Sequence, residues 1–334
     1  MYDVNVKIDL AKPIGNVGFG IPLLLVENAA QAVEYTVVST MAEIVAAGFA
    51  SETDVYKAAQ LLWMQNNAPK QIAVCAVIGT SADAMADEIL VGKGWRQLIV
   101  INGGEDDTDY TALITAIEAL EGKMLFIGLP VDDDTVINTN GLRRTVLFYC
   151  DSTDNYPIPV AAFVGEMAGR KAGSFTYKNI SLKGIPAQEL TAVEVDAIHN
   201  KGGLTLIQKA GDNVTSEGMV AGGEFIDVID TEDYIVQQLV YKTQKLLNNA
   251  DKVPFDNNGI AMLESVAVDV LQGAFNNGMI AVREDGTPAY SVAYAKREDC
   301  SEDDRGNRRY LHGTFNFTLA GAVHYVEITG TIIA

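Results

Sequence analysis

GGEFIDVIDTEDYIVQQLVYKTQKLLNNADKVPFDNNGIAMLESVAVDVLQGAFNNGMI (222–280) holds two amphipathic helical patterns and a turn between them. In TEDYIVQQLVYKTQKLLNNA (231–250) the acids come first and the lysines later, the order the helix dipole favours. In DNNGIAMLESVAVDVLQGAFNNG (256–278), Ile260, Leu263, Ala267, Val270, Leu271 and Ala274 share one face. Lys252-Val253-Pro254-Phe255 interrupts the helical run, because proline excludes the preceding residue from the helical region. GGEFIDVID, ahead of the first helix, reads as a short strand.

Upstream, from 21 to about 150, strand-like runs occur at 22–26, 35–39, 72–78, 97–101, 124–128 and 145–150. Helical segments alternate with several of them: SETDVYKAAQLLWMQ with Ser51 as its N-cap, SADAMADEILV from Ser81, and DTDYTALITAIEAL after an acidic turn. Apolar strands alternating with helices predict a layered α/β arrangement with a largely parallel sheet. A helix opens near Pro157 or Pro159, and LTAVEVDAIHNKGG predicts another with Thr191 as N-cap. After Gly278 the chain turns to strands at MIAVR, PAYSVAYAK and RYLHGTFNFTLAGAVHYVEITGTII.

The bulk properties narrow the function. A chain of 334 residues suggests two domains, and 48% hydrophobic residues suffice for packed cores. A net charge of -20 argues against nucleic acid or an anionic membrane as the main partner. No leader pattern follows Met1, and the tight apolar run IPLLLV is too short to span a bilayer at ~20 residues. The reading is a protein made in the cytoplasm. Cys75, Cys150 and Cys300 are far apart, and the first two read as buried thiols.

Motifs for chemistry are sparse. GNVGFG (15–20) lacks the order of a dinucleotide fingerprint and precedes a strand with Pro22, so it reads as a linker. No phosphate loop or nucleophile elbow is present. His199, His312 and His324 lack metal spacing; His199 suits a helix end, and the other two read as strand residues. Asp132-Asp133-Asp134 after Pro130 reads as a helix start rather than a cation site. Arg143-Arg144 and Arg308-Arg309 read as ion-pair partners within an acidic chain. No catalytic residue, metal or cofactor is assigned.

The order of pieces in the C-terminal half resembles the contractile tail sheath proteins of myophages and phage-tail-like bacteriocins. The pieces are Phe225-Ile226-Asp227-Val228, Glu232-Asp233-Tyr234, Lys252-Val253-Pro254-Phe255 with Gly259-Ile260, and Asn277-Gly278-Met279-Ile280, followed by FTLAGAVHYVEITGTI (317–332). The resemblance spans roughly 175–334 and is weaker over 20–150. It implies a mixed α+β and α/β chain that is not an enzyme. The implied order is an N-terminal arm and linker (1–20), a variable outer α/β domain (21–170), an inner sheath-like domain (171–315) and a C-terminal strand or arm (316–334). It implies a virion or particle component that stacks as hexameric rings of its own copies around a tail tube protein, between baseplate and tail terminator proteins. Contraction would drive the tube through a target envelope without nucleotide. The alternatives are an α/β nucleotide- or sugar-phosphate-binding enzyme and a type VI secretion sheath component.

The two chain ends support this physically. DVNVKIDL alternates with Val4, Val6, Ile8 and Leu10 on one face. HYVEITGTIIA places Val326, Ile328 and Ile332 on one face and Tyr325, Glu327, Thr329 and Thr331 on the other. Added strands bind by main-chain ladders, with alternate side chains in pockets. The four N-terminal apolar residues could supply roughly 6–12 kcal/mol gross. Gly15, Gly18 and Gly20 would let the arm swing, and the nine residues 11–19 would reach ~30 Å. Pairing of both ends within one chain is the alternative. Lys242 and Lys245 are candidates to face the tube; a solvated face is the alternative.

Overall fold

The computed structural model describes residues 19–86, 88–102, 110–131, 137–150 and 157–328. Val4, Val6, Ile8, Leu10, Gly15, Gly18, Thr329, Thr331, Ile332 and the triplet 132–134 lie outside the described residues.

An eight-stranded sheet forms the body. Its strands are β1 (Ile21–Glu27), β2 (Val33–Val38), β3 (Ile72–Ala76), β4 (Trp95–Asn102), β5 (Met124–Pro130), β6 (Thr145–Cys150), β7 (Gly203–Lys209) and β8 (Asp212–Thr215), in the order β2-β3-β1-β4-β5-β6-β7-β8. The six central strands are parallel, and the edge strands β2 and β8 run antiparallel to their neighbours. Parallel strands are covered on both faces, which explains their unbroken apolar runs. Leu24, Val74, Phe126 and Phe148 point into one core, while Leu23, Leu25, Cys75, Leu125 and Leu147 point into the other.

Helices α1 (Met41–Ala46) and α2 (Asp54–Trp63) follow β2, and the short α3 (Ser81–Met85) and α4 (Glu88–Val91) follow β3. Next come α5 (Tyr110–Glu118), α6 (Pro157–Ala168) and α7 (Ala192–Asn200). Thr53, not Ser51, caps α2: its hydroxyl accepts from the Tyr56 amide. The helix begins after the residue that can satisfy a free amide, and Ser51 is two positions too early. Thr191 caps α7 as expected, with Glu194 completing a capping box. Where α2 meets α6, a Cβ on Gly165 would collide with the Leu62 carbonyl, so only glycine permits this approach.

The second half corrects two expectations. Helix α8 runs Ile226–Asn249, so Phe225-Ile226-Asp227-Val228 is its cap and first turn, not a strand. Ile226 and Ile229 sit one turn apart and are fully buried in the sheet's core, a helical spacing that wins over local alternation. The sheet also continues past the expected boundary at 170, because β7 and β8 extend it to residue 215.

Helix α9 (Asn257–Asn276) is capped by Asp256, whose carboxylate accepts from the amides of Asn258 and Gly259. It packs with α8 and a two-stranded antiparallel sheet of β9 (Tyr290–Tyr294) and β10 (Gly313–Phe317) around a third core. Ile235, Leu239, Ala267, Val270, Leu271 and Ala274 fill it, with Phe315 and Phe317 against them. The anticipated face of α9 is therefore the buried one, with Leu263 half-buried at its margin. The loop between β9 and β10 carries α10 (Glu302–Gly306).

Candidate assembly surfaces

Beyond β10 the chain touches the body again through Leu319, Ala320 and His324, and the described residues after His324 are exposed. Leu319 bridges Ile280, and the Ala320 amide donates to the Met279 carbonyl at 2.9 Å. Gly321 turns the chain at φ +64°. His324 then docks on the body, with its Nε2 2.7 Å from the Thr176 hydroxyl and its ring edge-on to Phe225 at 4.9 Å. Neither His324 nor His312 lies in a strand. His312 precedes β10 and meets Asp304 at 3.1 Å. A cleft of about 130 Å³ separates Leu319, Gly321 and Ala322 from Thr176 and Asp227.

Past His324, Tyr325 is 80% exposed, Val326 67% and Ile328 88%; Val323, just before it, is 80% exposed. Residues 321–328 form no strand with any described residue. The expected alternation thus places apolar side chains in solvent on both faces. Among the described residues, β9 and β10 pair only with each other as strands, so each has an outer edge without a strand partner, and on the β9 edge the Tyr290 carbonyl accepts from Arg283 at 2.8 Å. The outward residues Ser291, Ala293, Thr314 and Asn316 are exposed, and the inward aromatics hold the pair on α9.

At the other end, Phe19 is the first described residue. Its ring covers the Arg96 guanidinium at 4.0 Å and lies 6.2 Å from the Tyr234 ring. Gly20 has φ +104°, and a Cβ there would come within 2.6 Å of the Arg96 Cβ. Of the proposed hinge glycines, this one is pinned against β4.

Arg96 is the centre of a buried ion cluster. Its side chain is 1% exposed and donates to Asp230 at 2.5 Å and to Asp233 at 2.7 Å, one turn apart on α8. Arg144, at the start of β6, also grips Asp233, and the Tyr177 hydroxyl donates to Asp230. Burial opposes the Arg96 charge, but Asp233 and Asp230 overcome it and hold the proton more firmly than usual. Burial raises Asp233, yet Arg96 and Arg144 bring it below the ordinary carboxylate range. Burial, then the nearby Asp230 charge, pushes the Tyr177 hydroxyl well up. Nearby, Lys123 donates to the carbonyls of Lys93 and Trp95 and lies over the Trp95 ring. Arg143 pairs with Glu232 at 2.8 Å, so both members of the Arg143-Arg144 pair are ion-pair partners.

Of this cluster only Arg144 was legible, as an ion-pair partner; Arg96, Asp230, Asp233 and Tyr177 were not. Arg96 sits alone in an apolar strand, where a buried cation would be the only reading that makes sense of it. Asp230 and Asp233 lay in a segment read partly as strand, which hid their one-turn spacing.

The tube-facing candidates differ from each other. Lys242 bridges α8 to α9 through Asp269 at 2.6 Å, whereas Lys245 is exposed. Cys75, Cys150 and Cys300 are buried, as expected for the first two. Among the described residues no helix is long and apolar enough to cross a membrane, and no cluster of metal-ligating side chains occurs.

Residues 226–332 match the family model described as E217 tail sheath protein gp31-like, C-terminal domain. No curated protein matches the chain. Its fold matches the helical sheath of the anti-feeding prophage in its contracted state, with TM-score 0.73, 15% identity and 98% of each chain covered. It matches the contracted sheath complex of the PVC extracellular contractile injection system with TM-score 0.71 and 11% identity, over 99% of this chain and 96% of that one. A sheath tail protein from Listeria innocua matches with TM-score 0.52 and 11% identity, over 92% and 97%. The described residues therefore have the fold of contractile-sheath structures, including those within 20–150 where the sequence resemblance was weaker. Its C-terminal third matches a tail sheath domain, in line with the resemblance drawn from residues 222–280.

Proposed function

We propose that this chain is the structural subunit of a contractile tail sheath. Copies assemble as hexameric rings around a tail tube, and contraction drives the tube through a target envelope. The chain acts as a polymer component and not as an enzyme; it is synthesised in the bacterial cytoplasm and built into a phage tail or tail-like particle. The observation that carries this reading is the tail sheath domain at 226–332, in a chain whose end leaves the body exposed. In this reading 1–20 and 316–334 act as arms, and the edges of β9 and β10 on another copy receive them.

The energetics fit. Burying Val323, Val326 and Ile328 on a neighbour supplies roughly 4–9 kcal/mol gross, before the entropy of ordering the segment. Main-chain ladder bonds add register. Electron microscopy of the purified protein with its tube tests the reading. Full-length chain should form long sheaths, and a chain lacking residues 1–12 should stay folded and form none. Normal sheaths from the truncated chain would remove the arm role, and uniform small particles from the full chain would remove the polymer.

A further inference from the structure

Phe19 and His324, the described residues next to the two arm segments, are tied to the same short stretch of helix. At the C-terminal side, His324 rests on Phe225, the N-cap residue of α8, and bonds to Thr176 beside it. At the N-terminal side, Phe19 packs on Tyr234, near the end of the third turn of α8. Nine residues separate Phe225 from Tyr234, or ~14 Å of helix. Between the two contacts stand Asp230 and Asp233, the acids that fasten α8 to Arg96 in β4. Phe19 itself covers that guanidinium. The helix start has no side-chain cap of its own. Its order therefore depends on these outside contacts more than that of α9, which Asp256 caps directly.

We propose that the first three turns of α8 are a shared anchor for the two chain ends, such that freeing either end loosens the same helix start. Phe19 and His324 are positioning residues in this scheme. The consequence for a sheath rests on the arm reading above. An arm drawn onto a neighbour would be felt at one helix end, and Arg96 would carry the change to the sheet. Two links of the lattice would then communicate inside each subunit without any ligand.

Hydrogen exchange on the unassembled full chain tests this. Phe19→Leu removes the face over Arg96, Phe19→Tyr keeps it, and His324→Ala removes the C-terminal contact; Thr176→Val removes only its hydrogen bond. Phe19→Leu and His324→Ala should each speed exchange of the amides of 229–236 by roughly threefold to tenfold, and together by more. Thr176→Val should produce a smaller change at the same amides, and Phe19→Tyr should match the parent. Exchange in α2, which lies away from α8 and Arg96, should not move. If each change alters only its own neighbourhood and leaves 229–236 as in the parent, the ends are separate tethers and the proposal is wrong. Faster exchange throughout the chain would likewise overturn it, as general destabilisation. Because no assembly is involved, loss of the polymer reading would leave this result standing, and the reverse.

Discussion

Arg96 and Asp230 are 134 residues apart in the chain, yet their side chains meet at 2.5 Å with 1% and 3% of their surface exposed. This contact joins a strand of the large sheet to α8, the helix that opens the segment matching the tail sheath model. Asp233, one turn further on, is shared by Arg96 and Arg144. Removing one member of a buried ion pair leaves the other charge stranded. Asp233→Asn should therefore cost about 3–5 kcal/mol, read from the urea midpoint. A shift within experimental scatter would show that the cluster contributes little to holding α8.

The same cluster sets the acid limit of the fold. Asp233 is held below its unfolded value of ~3.9 by the two arginines. Its stabilisation is complete above that value and disappears as pH falls through the lower folded one. Asp233→Asn should thus flatten the loss of stability below pH ~4. An unchanged acid slope in the variant would assign the acid transition to other carboxylates.

Lys123 acts in the opposite pH range. Burial, followed by the Arg96 charge, brings its ammonium down to about 7. In the unfolded chain it keeps the proton to ~10.4. Between these values unfolding takes up a proton, so this residue makes stability rise with pH across that window. Lys123→Met should show a smaller gain in urea midpoint from pH 7 to pH 9 than the parent. Equal gains would mean that the lysine titrates normally.

The approach of α2 to α6 leaves no room beside Leu62. Gly165→Ala should destabilise by about 1–3 kcal/mol through overpacking, visible as a lower melting temperature. A neutral result would mean that the helices separate freely.

The two lysines of α8 call for different readings of the same substitution. Lys242→Glu breaks the link to Asp269 and should cost about 0–1 kcal/mol as well as changing the surface. Lys245→Glu changes only an exposed charge, so it is the cleaner probe of a tube contact. It should weaken co-assembly with the tube at unchanged melting temperature. Unaffected co-assembly would leave Lys245 as a solvated lysine.

What the sequence made legible followed from periodicity and caps. The apolar runs from 22 to 150 became six strands of the sheet, and the stripe from Ile260 to Ala274 became the buried face of α9. Thr191 announced its helix as an N-cap, and the structure adds Glu194 to complete the capping box. Phe225-Ile226-Asp227-Val228 misled because four residues fit a strand as well as a helix turn. Only packing of Ile226 and Ile229 against the distant sheet decides between them. That β7 joins the sheet was not legible for a similar reason: it does so through its pairing with β6, which composition does not record. The ion cluster, Phe19 and the docking of His324 depend on contacts between distant parts of the chain. The exposed end at 325–328 was legible as a strand pattern, though the described residues offer it no strand.

That last point is the centre of the account, and electron cryo-microscopy of assembled sheaths addresses it directly. The account predicts that residues 325–328 of one subunit run as an added strand along the edge of β9 or β10 in another, with Val326 and Ile328 out of solvent. Density showing those residues folded back on their own subunit, with both edges open or filled by something else, would contradict it.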